Sequence, residues 1–168
     1  GMVEWVREVI AKAEKDDDIK ALLIKVNSPG GTVTASDLIL HELLLYKKKH
    51  EIPVYVHVMD LAASGGYYIA LAGDEIVAHP TSLIGSIGVI AFKVNLENLM
   101  GKIGVDWEVV KSGDKKDFMS PFRSFTDEER MLFQKTIDNF HNRFVSIIAE
   151  NRSGLDIEEV KALADGRV

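Results

Sequence analysis

Short β-rich runs separated by helical stretches make this an α/β chain with a layered, largely parallel sheet, because strands joined through helices require crossover connections. Three segments carry that expectation: the apolar run Ala21 to Val26, the helical spacing from Thr34 to Lys49, and the strand that Pro53 opens over Val54 to Val58. Ala21 to Val26 reads as a buried strand, since a continuous apolar run suits a strand covered on both faces. In the helix after it, Thr34 is the candidate N-cap, Asp37 falls in the first turn, and Leu38, Leu45 and their neighbours form the apolar stripe. Lys47-Lys48-Lys49 closes that helix where cations complement the dipole, a solvated end rather than a nucleic-acid patch.

The remaining elements follow in order. Val3, Val6, Val9, Ile10 and Ala13 have helical spacing, so a helix opens the chain over Val3 to Lys15. Gly1-Met2 resembles a cloning remnant, and Asp165-Gly166-Arg167-Val168 stops where a turn leads onward. The chain is therefore read as a single domain over residues 1–168, a fragment lacking a first strand and a continuation. Beyond Val58 we expect a helix at Tyr67 to Ala72, short strands near Glu75 to Ala78 and Gly88 to Phe92, a helix near Leu96 to Gly101 and a strand at Trp107 to Lys111. Thr126, with Glu129 three residues on, forms a capping box that starts a long helix. Its apolar positions Met131, Phe133, Ile137, Phe140, Phe144, Val145 and Ile148 spread beyond a narrow stripe, which predicts packing on its own sheet and on a neighbouring subunit. A short helix over Leu155 to Ala164 finishes the chain.

Composition excludes several functions. The 168 residues with 46% hydrophobic content suffice for one domain with a core. A net charge of −6, from 26 acidic and 20 basic residues, argues against a nucleic-acid partner. The absence of cysteine removes thiol catalysis, disulfides and cysteine zinc sites. No apolar run approaches the length that spans a bilayer, so the chain as it stands is expected to be soluble.

Two glycine-bearing segments point to acyl transfer. Leu61-Ala62-Ala63-Ser64-Gly65-Gly66-Tyr67 puts one hydroxyl on a tight turn where an extended segment meets a helix of small residues. Upstream, Asn27-Ser28-Pro29-Gly30-Gly31 closes a strand with adjacent glycines whose bare N–H groups can approach a developing oxyanion. A lone serine hydroxyl needs a base. Among the five histidines His79 is the best placed, with a structural role the default for each. The lysine-rich turn Lys111-Ser112-Gly113-Asp114-Lys115-Lys116-Asp117 offers the other candidates, provided desolvation or a neighbouring cation lowers an amine's pKa.

Taken together, Asn27-Ser28-Pro29-Gly30-Gly31, Ala62-Ala63-Ser64-Gly65-Gly66-Tyr67, His79-Pro80 with Gly85-Ser86-Ile87-Gly88, and Ser112-Gly113 with Lys116-Asp117 before Ser120-Pro121 resemble the signal peptide peptidase A family of serine proteases. The resemblance covers nearly the whole chain. Ser-Pro-Gly-Gly also occurs in the related Clp protease fold, whereas Ala-Ser-Gly-Gly-Tyr combined with Gly-Ser-Ile-Gly is narrower. The resemblance implies a Clp/crotonase-like fold and a Ser/Lys dyad, with Ser64 as nucleophile and Lys116 as general base, Lys115 being the fallback. It places Ser86 beside the lysine amine. It implies oxyanion donors at the Gly65 and Gly31 N–H groups, with Gly30 making the tight turn. Such a dyad calls for no metal and no cofactor.

The family resemblance further implies signal peptides or other short hydrophobic peptides as substrates, a homo-oligomeric ring or dome, and membrane association through a segment outside this chain. Three other readings compete with this one. A Clp-like Ser-His-Asp peptidase carries its histidine about two dozen residues past the serine, where this chain has apolar Val89 and its neighbours. A catalytically inactive paralogue would keep the fold as a scaffold or oligomerisation module. A crotonase-like acyl-CoA enzyme shares the paired amide donors but leaves the Ala-Ser-Gly-Gly turn unexplained.

Overall fold

In the computed structural model, which describes residues 1–168, the elements run in the order α1 (Met2–Ala13), β1 (Leu22–Ser28), α2 (Val33–His50), β2 (Val54–Ala63), α3 (Gly65–Ala70), β3 (Glu75–Ala78), β4 (Leu83–Gly85), α4 (Glu97–Ile103), α5 (Asp127–Asn151) and α6 (Ile157–Leu163). They form two units. One comprises residues 1–89 and 140–168, the other residues 90–139, and α5 starts in the second and continues into the first.

In the first unit β2 is the central strand, and every pairing in the sheet is parallel. One edge takes β1, in register from Leu22 opposite Val54 to Val26 opposite Val58, with a bulge before Ser28 meets Ala62. The other edge is shared, β3 pairing Tyr55 to Val58 and β4 pairing Leu61 to Ala63. This division explains why β2 runs five residues past the Val58 at which the sequence pattern stops. Polar Asp60 breaks the apolar run, but β4 supplies partners that carry the strand up to Ala63.

The two strands predicted near Gly88 to Phe92 and at Trp107 to Lys111 do not form. The strand after β3 falls earlier, at Leu83–Gly85, and positive φ angles at Gly85 and Ser86 then turn the chain out of the sheet before the apolar residues arrive. At Trp107 the unit offers no strand to pair with; the indole packs on Phe122 with ring centroids 5.4 Å apart.

Burial along the strands alternates. Val54, Val56 and Val58 are buried while Tyr55, His57 and Met59 are exposed; in β1, Val26 is buried and Leu23 is 63% exposed. The expectation that the first strand is covered on both faces is therefore wrong: helices cover one face, and period-2 geometry turns every second residue outward.

Beside the sheet, Ile39, Leu40 and Leu43 of α2, Tyr68 and Leu71 around α3, Phe144, Val145 and Ile148 of α5 and Val160 of α6 share one apolar cluster, against which Val3, Val6 and Ile10 of α1 also pack. The cap of α2 falls two residues before the predicted one: Thr32, not Thr34, accepts the Ala35 N–H on its hydroxyl at 3.4 Å. Asp37 consequently lies past the first turn. It accepts hydrogen bonds there from the Tyr68 hydroxyl at 2.6 Å and from Arg143 at 2.7 Å. Burial alone would raise the Asp37 carboxyl, but these donors outweigh it and hold the pKa below the usual range. The Tyr68 phenol is pushed up, first by burial and then by its bond to Asp37. α6 begins with a complete capping box between Asp156 and Glu159.

Leu40 is 2% exposed within this cluster, so Leu40→Ala should cost about 2–5 kcal/mol in urea unfolding. Leu23→Ala on the uncovered sheet face should stay within about 0.5 kcal/mol of the parent protein in the same measurement.

Candidate active site

Ser64 sits at the junction of β2 and α3 with φ 51° and ψ −120°, a conformation that a residue bearing a Cβ adopts at a cost of about 1–3 kcal/mol. Strand and helix hold it there. Its N–H donates to the Gly85 carbonyl of β4 at 2.8 Å, and its carbonyl accepts the Tyr68 N–H at 2.9 Å as the first turn of α3. A sharp strand-to-helix turn of this kind projects a serine hydroxyl away from the sheet. The Ser64 side chain is half-buried and its hydroxyl hydrogen-bonds to no group of the chain.

The second glycine segment is packed directly against this turn. Gly30 has φ 111°, and a Cβ there would lie 2.9 Å from both the Gly65 nitrogen and Ser64 Cβ. A Cβ on Gly65 would lie 3.0 Å from the Gly31 nitrogen and would collide with Ser36 Oγ. A Cβ on Gly66 would sit 2.7 Å from the Ser28 carbonyl oxygen. Glycine is thus required on both sides of the contact, because two backbones meet there without side chains between them. The Ser28 hydroxyl accepts the Gly30 N–H at 3.1 Å and shapes the loop. The N–H groups of Gly31 and Gly65 donate to no acceptor of the chain, and the close approach of the two segments brings them to one place beside Ser64. Two unpaired donors next to a hydroxyl form the arrangement that stabilises a developing oxyanion.

Ser86 lies in the same unit, also left-handed at φ 52°, immediately after the Gly85 that accepts the Ser64 amide. Sequence reasoning did not single out Ser36 or Ser28. Ser36 is 5% exposed and donates to the Thr32 carbonyl at 3.1 Å. In sequence it is a small polar residue early in an amphipathic helix, and nothing in that pattern signals that it floors the Gly65 turn.

Lys116 belongs to the second unit, in the turn 114–119, with its N–H donating to the Gly113 carbonyl at 3.1 Å. The neighbouring amines are committed. Lys111 binds Asp117 at 2.8 Å and Lys115 is paired with Glu128, whereas the exposed Lys116 amine makes no ion pair. Among the histidines, His79 Nδ1 meets the Thr81 hydroxyl at 2.8 Å and His141 Nε2 donates to the Ala164 carbonyl at 3.0 Å.

The lysine turn is fastened by Arg123, which binds Asp117 at 3.0 Å and Glu129 at 2.6 Å. Glu129 is also the second half of the predicted capping box: its backbone N–H donates to the Thr126 hydroxyl at 3.2 Å, and its carboxylate accepts the Thr126 N–H at 2.9 Å. Arg123, reinforced by Lys111, holds Asp117 far below the usual carboxylate range, and Arg123 with the Thr126 amide lowers Glu129 to about 2. Phe118, Phe125 and Phe133 pack together under this network, and the Lys93 ammonium lies 3.9 Å from the Phe125 ring centre.

Residues 46–168 match the model of peptidase family S49. The chain belongs to that family. Residues 2–84 also match the Clp protease model. The chain is 40% identical over 159 residues to a putative signal peptide peptidase of Enterococcus faecium, covering 95% of this chain and 46% of that protein. It is 34% identical over 168 residues to a chloroplastic serine protease of Arabidopsis thaliana, covering 99% of this chain and 24% of that protein. A ClpP1 mutant from Listeria monocytogenes superposes with a TM-score of 0.55 at 18% identity, covering 99% of this chain and 72% of that one; the likeness bears on the fold, which is ClpP/crotonase-like. The chain spans about half the length of the curated relatives it matches.

Because Asp117 and Glu129 have lowered pKa values in the folded state, their contribution to stability is complete above about pH 4.3 and is lost as the pH falls through their folded values. Trp107 fluorescence, read in a Trp5→Phe background, should therefore report unfolding of residues 90–139 as the pH falls from about 4 toward 2. Arg123→Gln should move that transition to higher pH.

Proposed function

We propose that this member of the S49 serine peptidase family is the single protease domain of an endopeptidase that hydrolyses signal peptides or other short hydrophobic peptides through an acyl-enzyme. Ser64 is the nucleophile and Lys116 the general base. The observation that carries the reading is the meeting of the unpaired Gly31 and Gly65 amides beside a strained serine at a strand-to-helix turn.

In the reaction, the Lys116 amine, exposed in this chain by itself, is shielded from water by bound substrate or a second copy before it takes the Ser64 hydroxyl proton while the oxygen attacks the scissile carbonyl. The Gly31 and Gly65 N–H groups bind the resulting oxyanion; each such donor is worth about 2.7–4 kcal/mol of barrier. Lys116 then gives its proton to the departing amine, the C–N bond breaks, and water repeats the cycle on the ester. Ser86 orients the lysine amine. Lys116 is preferred over Lys115 because it stands in the Lys116-Asp117 step before Ser120-Pro121 by which the chain resembles the family; the exposed Lys115–Glu128 pair is too weak to decide between the two amines. A serine pairing of this kind needs no histidine, and two of the nearest candidates in sequence, His79 and His57, are respectively bonded to Thr81 and exposed on the uncovered sheet face.

Ile90, Phe92 and Val94, close together in sequence, are 74%, 79% and 62% exposed, apolar surface of the kind that a second copy of the chain would cover in a homo-oligomer. No helix is long and apolar enough to cross a membrane. Membrane association through a segment outside this chain is part of the proposal and rests on the family resemblance alone.

Ser64→Ala and Lys116→Ala should each lower kcat on a hydrophobic peptide substrate by about 10³-fold or more with an unchanged circular dichroism spectrum, whereas Lys115→Ala should stay within about twofold. A fluorophosphonate should label the parent protein stoichiometrically at Ser64; a folded protein that is neither labelled nor active would leave the scaffold reading standing. Mixing the Ser64→Ala and Lys116→Ala proteins should restore activity if the dyad closes between copies and leave it absent if the dyad closes within one. Phe92→Asp should reduce the mass measured by light scattering.

A further inference from the structure

The turn that carries Ser64 rests on Gly85 and Ser86, and these in turn lie against residues 166–168, which the proposed chemistry does not use. Gly85 and Ser86 are consecutive left-handed residues, at φ 136° and 52°, and Ser86 carries a Cβ in a conformation disfavoured for it. Two hydrogen bonds hold them: the Ser64 N–H donates to the Gly85 carbonyl at 2.8 Å, and the Ser86 N–H donates to the Arg167 carbonyl at 2.6 Å. Residues 166–168 lie flush against this turn. A Cβ on Gly85 would come within 2.8 Å of the Arg167 carbonyl oxygen and 3.3 Å of Val168 Cα, and one on Gly88 would lie 3.5 Å from Gly166 Cα.

The segment is itself anchored at both ends of its bend. Ala164 is buried and its carbonyl accepts from His141 Nε2 of α5 at 3.0 Å. Arg167 folds back on Asp165, Nε donating to the two carboxylate oxygens at 2.8 and 2.7 Å and the backbone N–H to Oδ1 at 3.1 Å. Between them Gly166 takes φ 90°, with nothing within 4 Å of where a Cβ would stand. A short exposed bend, fixed to α5 on one side, therefore meets the nucleophile turn on the other.

We infer that Asp165-Gly166-Arg167 is a positioning strap for the nucleophile: through the Arg167 carbonyl and Ser86 it fixes Gly85, whose carbonyl sets the orientation of Ser64. This rests on Ser64 being the nucleophile. The strap touches neither substrate nor the reacting atoms, and its residues are positioning residues. Loosening it leaves the apolar cluster of the first unit intact, since Asp165, Gly166 and Arg167 are exposed and contribute nothing to that cluster.

The test uses Gly166→Val, which forces a β-branched residue into a left-handed bend, Asp165→Asn, which removes the carboxylate that Arg167 folds onto, and Gly166→Asn, which tolerates the bend. The readouts are the fluorophosphonate acylation rate of Ser64, kcat and KM on a hydrophobic peptide substrate, and hydrogen exchange at the Ser86 amide. Gly166→Val should accelerate Ser86 exchange and lower both acylation and kcat by about tenfold with KM within about twofold, and Gly166→Asn should recover most of the rate. Asp165→Asn should act in the same direction and carries the comparison should Gly166→Val fail to fold. Faster Ser86 exchange with acylation at the parent rate overturns the strap, as does a rise in KM without a fall in kcat, or exchange that no variant changes. A parent protein inert to the fluorophosphonate removes Ser64 as nucleophile, and the strap's purpose with it, an outcome distinct from a reactive parent with equally reactive variants.

Discussion

A serine held at φ 51° between the last residue of a central strand and the first residue of a helix is the constraint around which the first unit is arranged. Such a backbone persists only when its surroundings over-determine it. Here they do so from three directions: β4 accepts the Ser64 amide, α3 bonds its carbonyl, and the Gly30-Gly31 loop fills the space that side chains would otherwise occupy. Small residues follow as a physical requirement. Ala62, Ala63, Gly65 and Gly66 are all buried, and any larger residue at the two glycines meets backbone or the Ser36 hydroxyl. The same closeness leaves two amides without internal partners beside the hydroxyl, so one packing solution creates both the strain and the donors.

The second unit is built on different forces. It holds α4 and the first part of α5, and among its residues only Glu129 is buried below a tenth of its surface. A cluster of phenylalanines and the Asp117–Arg123–Glu129 network take the place of a large core. Breaking a buried carboxylate from its guanidinium is costly because the remaining charge is left unpaired, which makes Arg123 the organising residue of this unit. Lys111 pairs with Asp117 of this network and Lys115 with Glu128 outside it, which leaves the Lys116 amine without an ion pair. Three cations that are equivalent in sequence thereby become distinct.

Much of this was legible beforehand, and the reasons differ by element. Parallel strands, the long helix and its Thr126–Glu129 capping box could be read because periodicity and capping are local properties of neighbouring residues. The Ser64 turn and the two glycine pairs were legible for the same reason, since glycines flanking a single hydroxyl mark a backbone that must bend and approach another closely. Gly88 to Phe92 and Trp107 to Lys111 misled because an apolar, β-branched segment becomes a strand only when a partner edge is free. Leu83–Gly85 had already taken the open end of β2, and no strand stands beside Trp107.

The sequence by itself determined the fold class, the Ser64 turn between its glycines and the family resemblance, because each rests on residue types at short spacings. Only the tertiary structure decided what long-range contacts decide: that one face of the sheet stays uncovered, that Thr32 rather than Thr34 caps α2, that Ser36 floors the Gly65 turn, and that Arg167 reaches the amide of Ser86. Those outcomes depend on which distant segments arrive at the same place, and a linear pattern of side chains contains no measure of that distance.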